Sequence, residues 1–405
     1  NSKKLLWISA LLTLTAVAIH TYLTFEYYDV VFGSVIGESI CNLGGKFNCE
    51  TVAASPWAAF YGIPMALLGA TTNLILALLI SISNLGWTDD PPRVLRYSFW
   101  LSTFVAFVSL LMGSISLTVV GAYCVFCIAT YLLSFAVWGL LRFVLPTPAM
   151  PHLMSQLKLD IPELTKNFRW VTGLLMAAPI LAFVFDSSYK KNQGYDRLKD
   201  MVAESLAYWQ SEVPQNFDLS PYLASGMTKG DSEAVLTLVE FADFRCGHCK
   251  AAAPVLASFV ASHPKVKLVF KNFPLDGSCN PSPNLRGSGE GISCQLASLV
   301  YCAESLNKKG WSAWEFVFKN QSRLHSELDK VILELAEVAG KPPEELKTCA
   351  TSSETVAAIT KQAQEGVNAK IEGTPTIFAN GKLLKGGQTM PVLEAVYKQV
   401  MPGHF

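Results

Sequence analysis

Long apolar runs fill the first part of the chain, at about 5–25, 57–82, 97–120, 122–145 and 170–185. Each comes near the roughly 20 residues that a helix needs to cross the hydrocarbon core of a bilayer, so the pattern predicts five membrane spans. The first run follows Lys3 and Lys4 as a signal peptide would. It is longer than a signal-peptide core, however, and no small-residue cleavage site follows it. Between the fourth and fifth runs, 151–168 reads as a polar, proline-bearing linker. From Tyr189 the pattern becomes that of a soluble domain, with Lys, Glu and Asp dispersed among shorter apolar stretches.

In that second part, 189–215 predicts a helical connector, with Leu198, Met201, Val202, Leu206 and Trp209 at helical spacing. Buried strands are expected at 234–241 and 266–270, and helices at 293–307, 311–320, 328–339 and 343–349. The chain closes with a strand at 376–379, an Asn380-Gly381 turn, a short strand at 382–384 and a helix at 391–399. No internal repeat is present. The glycines of 287–291 make a loop that no strand feeds, which excludes a phosphate cradle.

The basic residues give the spans a direction. With the N-terminus inside, the inner segments hold Lys3, Lys4, Arg93, Arg96, Arg142, Lys158, Lys166 and Arg169, while the first outer loop holds only Lys46. Lys190 and Lys191, just outside the fifth span, are a local exception. Five crossings place the loop 26–56, the turn before Cys124 and the soluble domain on one outer side. The 405 residues balance 32 Lys and Arg against 32 Asp and Glu, so charge gives no nucleic-acid-binding footprint. Asn1 in place of an initiating Met is expected of a chain whose native start lies upstream.

Ten cysteines change the picture from membrane protein to redox protein. Cys41, Cys49, Cys124 and Cys127 belong to the apolar part; Cys246, Cys249, Cys279, Cys294, Cys302 and Cys349 belong to the soluble part. By the topology above, all lie on the outer side or at its membrane surface, and even counts suit disulfides in an oxidising compartment. Zinc bound between two Cys-X-X-Cys motifs is the competing reading; one pair lies at a membrane edge and a further span separates them, so no metal is expected.

Cys124 and Cys127, in GAYCVFCIATY, stand where a turn hands over to an apolar run; residues three apart share a helix face and can close and reopen a disulfide. Cys246-Gly-His-Cys249 follows a strand at the start of a helix, where unsatisfied N–H groups favour a thiolate. Cys246 is then the exposed nucleophile, Cys249 the buried resolving thiol, His248 a stabiliser of the thiolate, and Glu240 a buried carboxylate that exchanges a proton with Cys249. Cys41 and Cys49 bracket a Gly-containing loop that can swing between partners, or else form a static loop disulfide. Cys279, Cys294, Cys302 and Cys349 suit structural staples. Of their three pairings Cys279–Cys294 with Cys302–Cys349 is preferred, and a second exchanging pair is the alternative.

The strand, Cys246 to Cys249, the Gly373-Thr374-Pro375-Thr376 stretch and the closing strand resemble the thioredoxin superfamily over 235–400, and the helical insertion resembles its DsbA-like branch. The resemblance implies a cis Pro375 opposite the disulfide, with Thr374 beside it in the substrate groove. Cys41, Cys49, Ser55, the stretch Phe60-Tyr61-Gly62-Ile63-Pro64, Cys124, Cys127 and Tyr131 resemble the vitamin K epoxide reductase family over 5–145. Together they imply a membrane all-α protein: a four-helix-bundle catalytic core at 1–146, an inner linker and fifth transmembrane helix at 147–188, a connector at 189–230, and an α/β thioredoxin-fold domain with a helical insertion at 231–405.

Carried onto these residues, the resemblance implies a relay. Reduced exported proteins exchange with Cys246 and Cys249, then Cys41 and Cys49 receive the electrons, then Cys124 and Cys127, which reduce a quinone, ubiquinone or menaquinone, from the membrane pool. Ser55 and Tyr131 are implied quinone contacts, and Trp57, Ala58 and Phe60 further pocket candidates. Animal members carry an amide side chain where this chain has Ala58, so that contact is not carried over. The implied location is a bacterial inner membrane, multi-pass, with the thioredoxin-like domain and the cysteines on the periplasmic side. Three other readings compete. A reductive transporter needs cysteines near the inner ends, and the sequence has none there; a tethered binding module has no use for Cys124, Cys127 or Ser55. Quinone or vitamin K epoxide reduction as the purpose uses the same catalyst.

Overall fold

The computed structural model describes residues 2–32, 47–145, 150–219, 226–285, 287 and 289–402. They form two compact units: the described residues up to Asp196, apart from Val31 and Phe32, make the first, and Val31 and Phe32 group with the residues from Arg197 onward in the second.

The first unit contains α1 (Ser2–Phe32), α2 (Cys49–Ala53), β1 (Ala59–Phe60), β2 (Ile63–Pro64), α3 (Met65–Leu85), α4 (Pro91–Ile115), α5 (Val125–Val144), α6 (Met150–Lys166) and α7 (Arg169–Asn192). A π-helical turn, Ser116–Val120, extends α4. Among the described residues five helices, α1, α3, α4 with its extension, α5 and α7, are long and apolar enough to cross a membrane. Leu6 and Ala10 of α1, Leu76 and Ile80 of α3, Leu95 and Phe99 of α4, and Val137 and Leu141 of α5 meet in one core, so four of the helices form a bundle. Ile75, Leu79, Val94 and Tyr97 pack against Phe168, Val171 and Ala178, which docks α7 on α3 and α4. Large apolar side chains such as Phe104, Phe107, Leu132 and Phe143 remain exposed on the bundle's outer faces, as a lipid-facing surface requires. Hydroxyls inside the helices bond back to carbonyls one turn earlier, as Thr13 does to Ser9 O at 2.6 Å and Ser134 to Thr130 O at 2.8 Å, which pairs those donors in an apolar medium.

Two segments differ from the sequence expectation. The second apolar run does not enter its span at Trp57. Pro56–Ala58 is a 3-10 turn and β1 pairs with β2 as a hairpin, so the span begins at Met65. The 151–168 linker is mostly helix α6, pinned where Arg96 Nε and Nη2 and Arg93 Nε converge on the buried Asp160 carboxylate at 2.6, 2.8 and 3.1 Å. Tyr97 adds a hydrogen bond to Asp160 O at 2.9 Å.

The second unit contains most of α8 (Tyr195–Ser211), then β3 (Met227–Gly230), β4 (Leu236–Ala242), α9 (Gly247–Ser262), β5 (Val266–Asn272), α10 (Ile292–Asn307), α11 (Gly310–Lys319), α12 (Leu328–Ala339), α13 (Pro343–Ala350), α14 (Ser353–Asn368), β6 (Thr376–Ala379), β7 (Lys382–Leu383) and α15 (Met390–Val400). The sheet order is β3-β5-β4-β6-β7. β4 and β5 run parallel at the centre; β6 is antiparallel to β4, β3 to β5, and β7 to β6. Helices α10 to α14 are inserted between β5 and β6 and share one core with the sheet and α9, including Phe244, Phe270, Leu296, Trp314 and Leu335. Cys279 is bonded to Cys294, and Cys302, fully buried in that core, to Cys349. The sequence pattern predicts neither strand β3 nor helix α14.

Candidate active site

In the second unit the thiol pair stands at the end of the most buried strand. β4 leads through Asp243 and Phe244 to Cys246, which caps α9 at its N-terminus. Two long-range contacts set the approach. Asp243, buried, accepts hydrogen bonds from Arg245 N and Leu275 N and, at 3.2 Å, from Ser293 Oγ. Gln321 Nε2 donates to Phe244 O and Cys246 O, each at 2.9 Å. Neither residue carries a motif, and their roles are visible only once the insertion folds over the loop.

The Cys246 sulfur is half-buried and lies 3.2 Å from Thr374 O, beside the cis peptide bond between Thr374 and Pro375. Its pKa is lowered to about 5, chiefly by a hydrogen bond from the Cys249 thiol and further by the Thr374 contact and the backbone N–H groups of Cys249 and His248, against the opposing cost of burial. Cys249 is fully buried, and its pKa is pushed up because it donates its proton to the Cys246 sulfur and because it is desolvated. The His248 side chain is exposed, so its backbone is what serves the thiolate. Glu240 sits mid-strand, opposite Phe270 of β5 and Ile377 of β6. Burial, aided by the Cys246 charge, raises its pKa to about 8, and neither carboxyl oxygen has a hydrogen-bond partner among the described residues. The set is one thiol that ionises easily, one buried thiol that keeps its proton, and one buried acid with a pKa of about 8.

In the first unit Cys124 caps α5, and its sulfur accepts a hydrogen bond from Cys127 N at 3.0 Å. Both are free thiols, Cys124 buried and Cys127 partly so. Asn48 caps α2 by accepting from Thr51 N at 2.8 Å, and its own N–H donates to Tyr123 O at 3.0 Å. That stitch brings Cys49 into one buried cluster with Cys124 and Leu23, with Ile19, Tyr22, Val52, Ala66, Phe126 and Cys127 around it. Cys49 is disulfide-bonded; Cys41 lies outside the described residues. Ser55 is buried at the end of α2, its hydroxyl bonded to Val52 O at 2.8 Å. Tyr131, one turn beyond Cys127 on α5, rests its ring against Gly113 of α4, and its hydroxyl has no hydrogen-bond partner among the described residues. Trp57 and Phe60 are exposed and Ala58 half-buried on the segment that follows Ser55.

Residues 7–141 match the vitamin K epoxide reductase family, and residues 237–398 match the DSBA-like thioredoxin domain. The chain is 26% identical over 162 residues to a probable disulfide bond formation protein D of Bacillus cereus, covering 38% of this chain and 69% of that protein. It is 23% identical over 169 residues to the Na(+)/H(+) antiporter NhaA 3 of Salinispora tropica; the match covers 41% of this chain but only 23% of the antiporter's length. Among solved structures, oxidised BdbD from Bacillus subtilis is 19% identical, covering 47% of this chain and 99% of that one with a TM-score of 0.38. DsbA2 of Pseudomonas aeruginosa is 24% identical, covering 44% and 95%, with a TM-score of 0.33. The chain thus joins a domain of the vitamin K epoxide reductase family, at 7–141, to a DsbA-like thioredoxin domain, at 237–398.

Proposed function

We propose that this protein is a membrane thiol:quinone oxidoreductase that forms disulfide bonds in exported proteins. The observation that carries the reading is the packing of Cys49, disulfide-bonded, against Cys124, with the free thiol of Cys127 at its side. A loop disulfide and a helix-end dithiol in contact are what a two-electron hand-over requires.

In this reading the Cys246–Cys249 disulfide takes two electrons from a dithiol of a substrate protein, which leaves as a disulfide. The Cys246 thiolate attacks the Cys41–Cys49 disulfide at Cys41, and Cys249, its proton passed to Glu240, resolves the mixed disulfide. Cys49 then attacks the Cys124–Cys127 disulfide at Cys124, and Cys41 closes the pair again. Cys124 and Cys127, now reduced, close to a disulfide and release two electrons and two protons to a quinone, the co-substrate that leaves as the hydroquinone. Tyr131 fits this role because its open hydroxyl stands on the same helix face as Cys127, and Ser55 fits as a buried hydroxyl near Cys49 that can turn from Val52 O to a quinone oxygen. Direction comes from potential: every 30 mV is worth about 1.4 kcal/mol, so a quinone sink well above protein disulfides draws electrons inward. We place the protein in a bacterial inner membrane with the thioredoxin-like domain and the thiols outside the cytoplasm, where such substrates are found.

The test is Cys127→Ala in the full chain. It should abolish quinone reduction while Cys246 and Cys249 still exchange with a small disulfide. Retained quinone turnover would remove Cys127 from the electron path.

A further inference from the structure

We propose that the outer end of α7 is a positioning device for quinone access. Lys190, held by Asp186 and Tyr28, fixes the turn of the β1–β2 hairpin and through it the segment from Ser55 to Pro64. The proposal rests on the thiol:quinone reading and assigns the fifth span a part in it.

The hairpin cannot hold itself. It has two residue pairs, Ala59 with Pro64 and Phe60 with Ile63. Isolated two-stranded hairpins are marginal even when longer. Its turn residues, Tyr61 with φ 50° and Gly62 with φ 81°, make the tight two-residue connection with both φ positive, which leaves the Tyr61 side chain 92% exposed and Phe60 60% exposed. The Gly62 carbonyl, however, is held: Lys190 Nζ donates to it at 2.7 Å.

Lys190 is itself fixed. Its Nζ lies 2.8 Å from Asp186 Oδ2, and Tyr28 OH donates to Asp186 Oδ1 at 2.8 Å. Asp186 and Tyr28 are buried, and the Tyr189 ring stacks on Tyr28 at 4.3 Å. Burying a carboxylate near a membrane surface costs more than an apolar contact in its place would, and removing one partner strands a charge. A network kept at that cost acts through geometry, and the geometry it sets is the place of the Gly62 carbonyl. It also accounts for Lys190, one of the two basic residues that break the charge rule for the spans.

The route from the hairpin to the thiols is short and continuous. β1 follows directly on the 3-10 turn Pro56–Ala58, whose N-cap is Ser55. Ser55 is bonded to α2 at Val52 O, and α2 begins with Cys49 against Cys124. A hairpin free to swing loosens the wall that carries Ser55, so a quinone finds its contacts less often, while the thiol chemistry beyond is untouched. The signature is a change in quinone KM rather than in kcat.

The experiment uses the full chain in detergent or nanodiscs as wild type, Lys190→Met and Lys190→Arg, with two readouts. One is anaerobic steady-state reduction of a short-chain ubiquinone. The other is the rate of chymotryptic cleavage at Phe60 and Tyr61, which reports hairpin position without quinone. K190M should raise KM about tenfold with kcat within about twofold, the loss expected for one charged hydrogen bond, and should speed cleavage. K190R should restore both. Unchanged KM in K190M beside an active wild type, or unchanged cleavage, overturns the proposal. A wild type that reduces no quinone sinks the function reading and with it the quinone role of Lys190; cleavage then reports hairpin anchoring alone.

Discussion

Replacing Glu240 by Gln removes an acid from the centre of the sheet while keeping its volume. Glu240 is fully buried and its pKa is about 8 in place of 4.5. As pH rises past 4.5 the unfolded chain loses this proton while the folded chain keeps it, until about pH 8. Across that window the folded state binds the extra proton, so stability is highest below pH 4.5 and falls by about 1.4 kcal/mol per pH unit. Between pH 5.5 and 7.5 the loss comes to about 2–3 kcal/mol, on the order of 1 M in a urea midpoint. E240Q carries no such proton and should show none of it. The assay is urea unfolding, by circular dichroism, of the unit from Arg197 onward with its disulfides oxidised. Oxidation removes the Cys246 charge, but burial, the larger cause of the shift, remains. Wild type should lose about 2–3 kcal/mol relative to E240Q between the two pH values. Parallel behaviour would mean that Glu240 is already ionised in the fold, and burial would not be holding its proton near neutral pH.

Other expectations follow from the same structure. Thiolate absorbance of reduced Cys246 should titrate with a midpoint near pH 5; a midpoint near 8.5, the ordinary thiol value, would contradict the site. Because this folded pKa is depressed, the thiolate stabilises the reduced fold at neutral pH by about 1–2 kcal/mol, discounted for a half-exposed sulfur, and that contribution should vanish as pH falls through 5. Replacing Cys302 and Cys349 together by Ser opens a cross-link of sequence separation 47 and should cost about 2–4 kcal/mol of stability while exchange at Cys246 continues. Loss of exchange in the folded double variant would mark that pair as part of the relay.

How far the sequence predicts this molecule depends on the range of the interactions involved. The spans are legible because a run of about 20 apolar residues has few alternatives to a membrane helix. The start of the second span is hidden in the sequence because Trp57 to Pro64 is apolar too, and only Pro56 and the Tyr61-Gly62 turn mark it as non-helical. Helix α6 reads as a linker on account of its prolines and polar residues; what holds it is Asp160 meeting Arg93 and Arg96, a pairing some 64 residues apart that periodicity does not reveal. Helix α14 buries Thr355, Ala358, Ile359, Gln362 and Ala363, a face too small and polar to stand out, although Ser352 capping Thr355 N was a readable signal. At the soluble site the thiols and Glu240 were legible from strand and helix-start chemistry. Asp243 and Gln321 were not, since their partners come from segments distant in sequence. At the membrane site the contact between Cys49 and Cys124 depends on Asn48 finding Tyr123, which the sequence does not announce.

The central claim, that electrons leave this chain through Cys124 and Cys127 to a quinone, is tested most directly by anaerobic mixing. The full-length protein, its exchanging thiols reduced and freed of reductant, is mixed with ubiquinone or menaquinone, and quinone absorbance and free thiols are followed together. The account predicts one hydroquinone formed for every two thiols lost, in wild type and not in Cys127→Ala. Thiols that persist beside unreduced quinone of both kinds would contradict it.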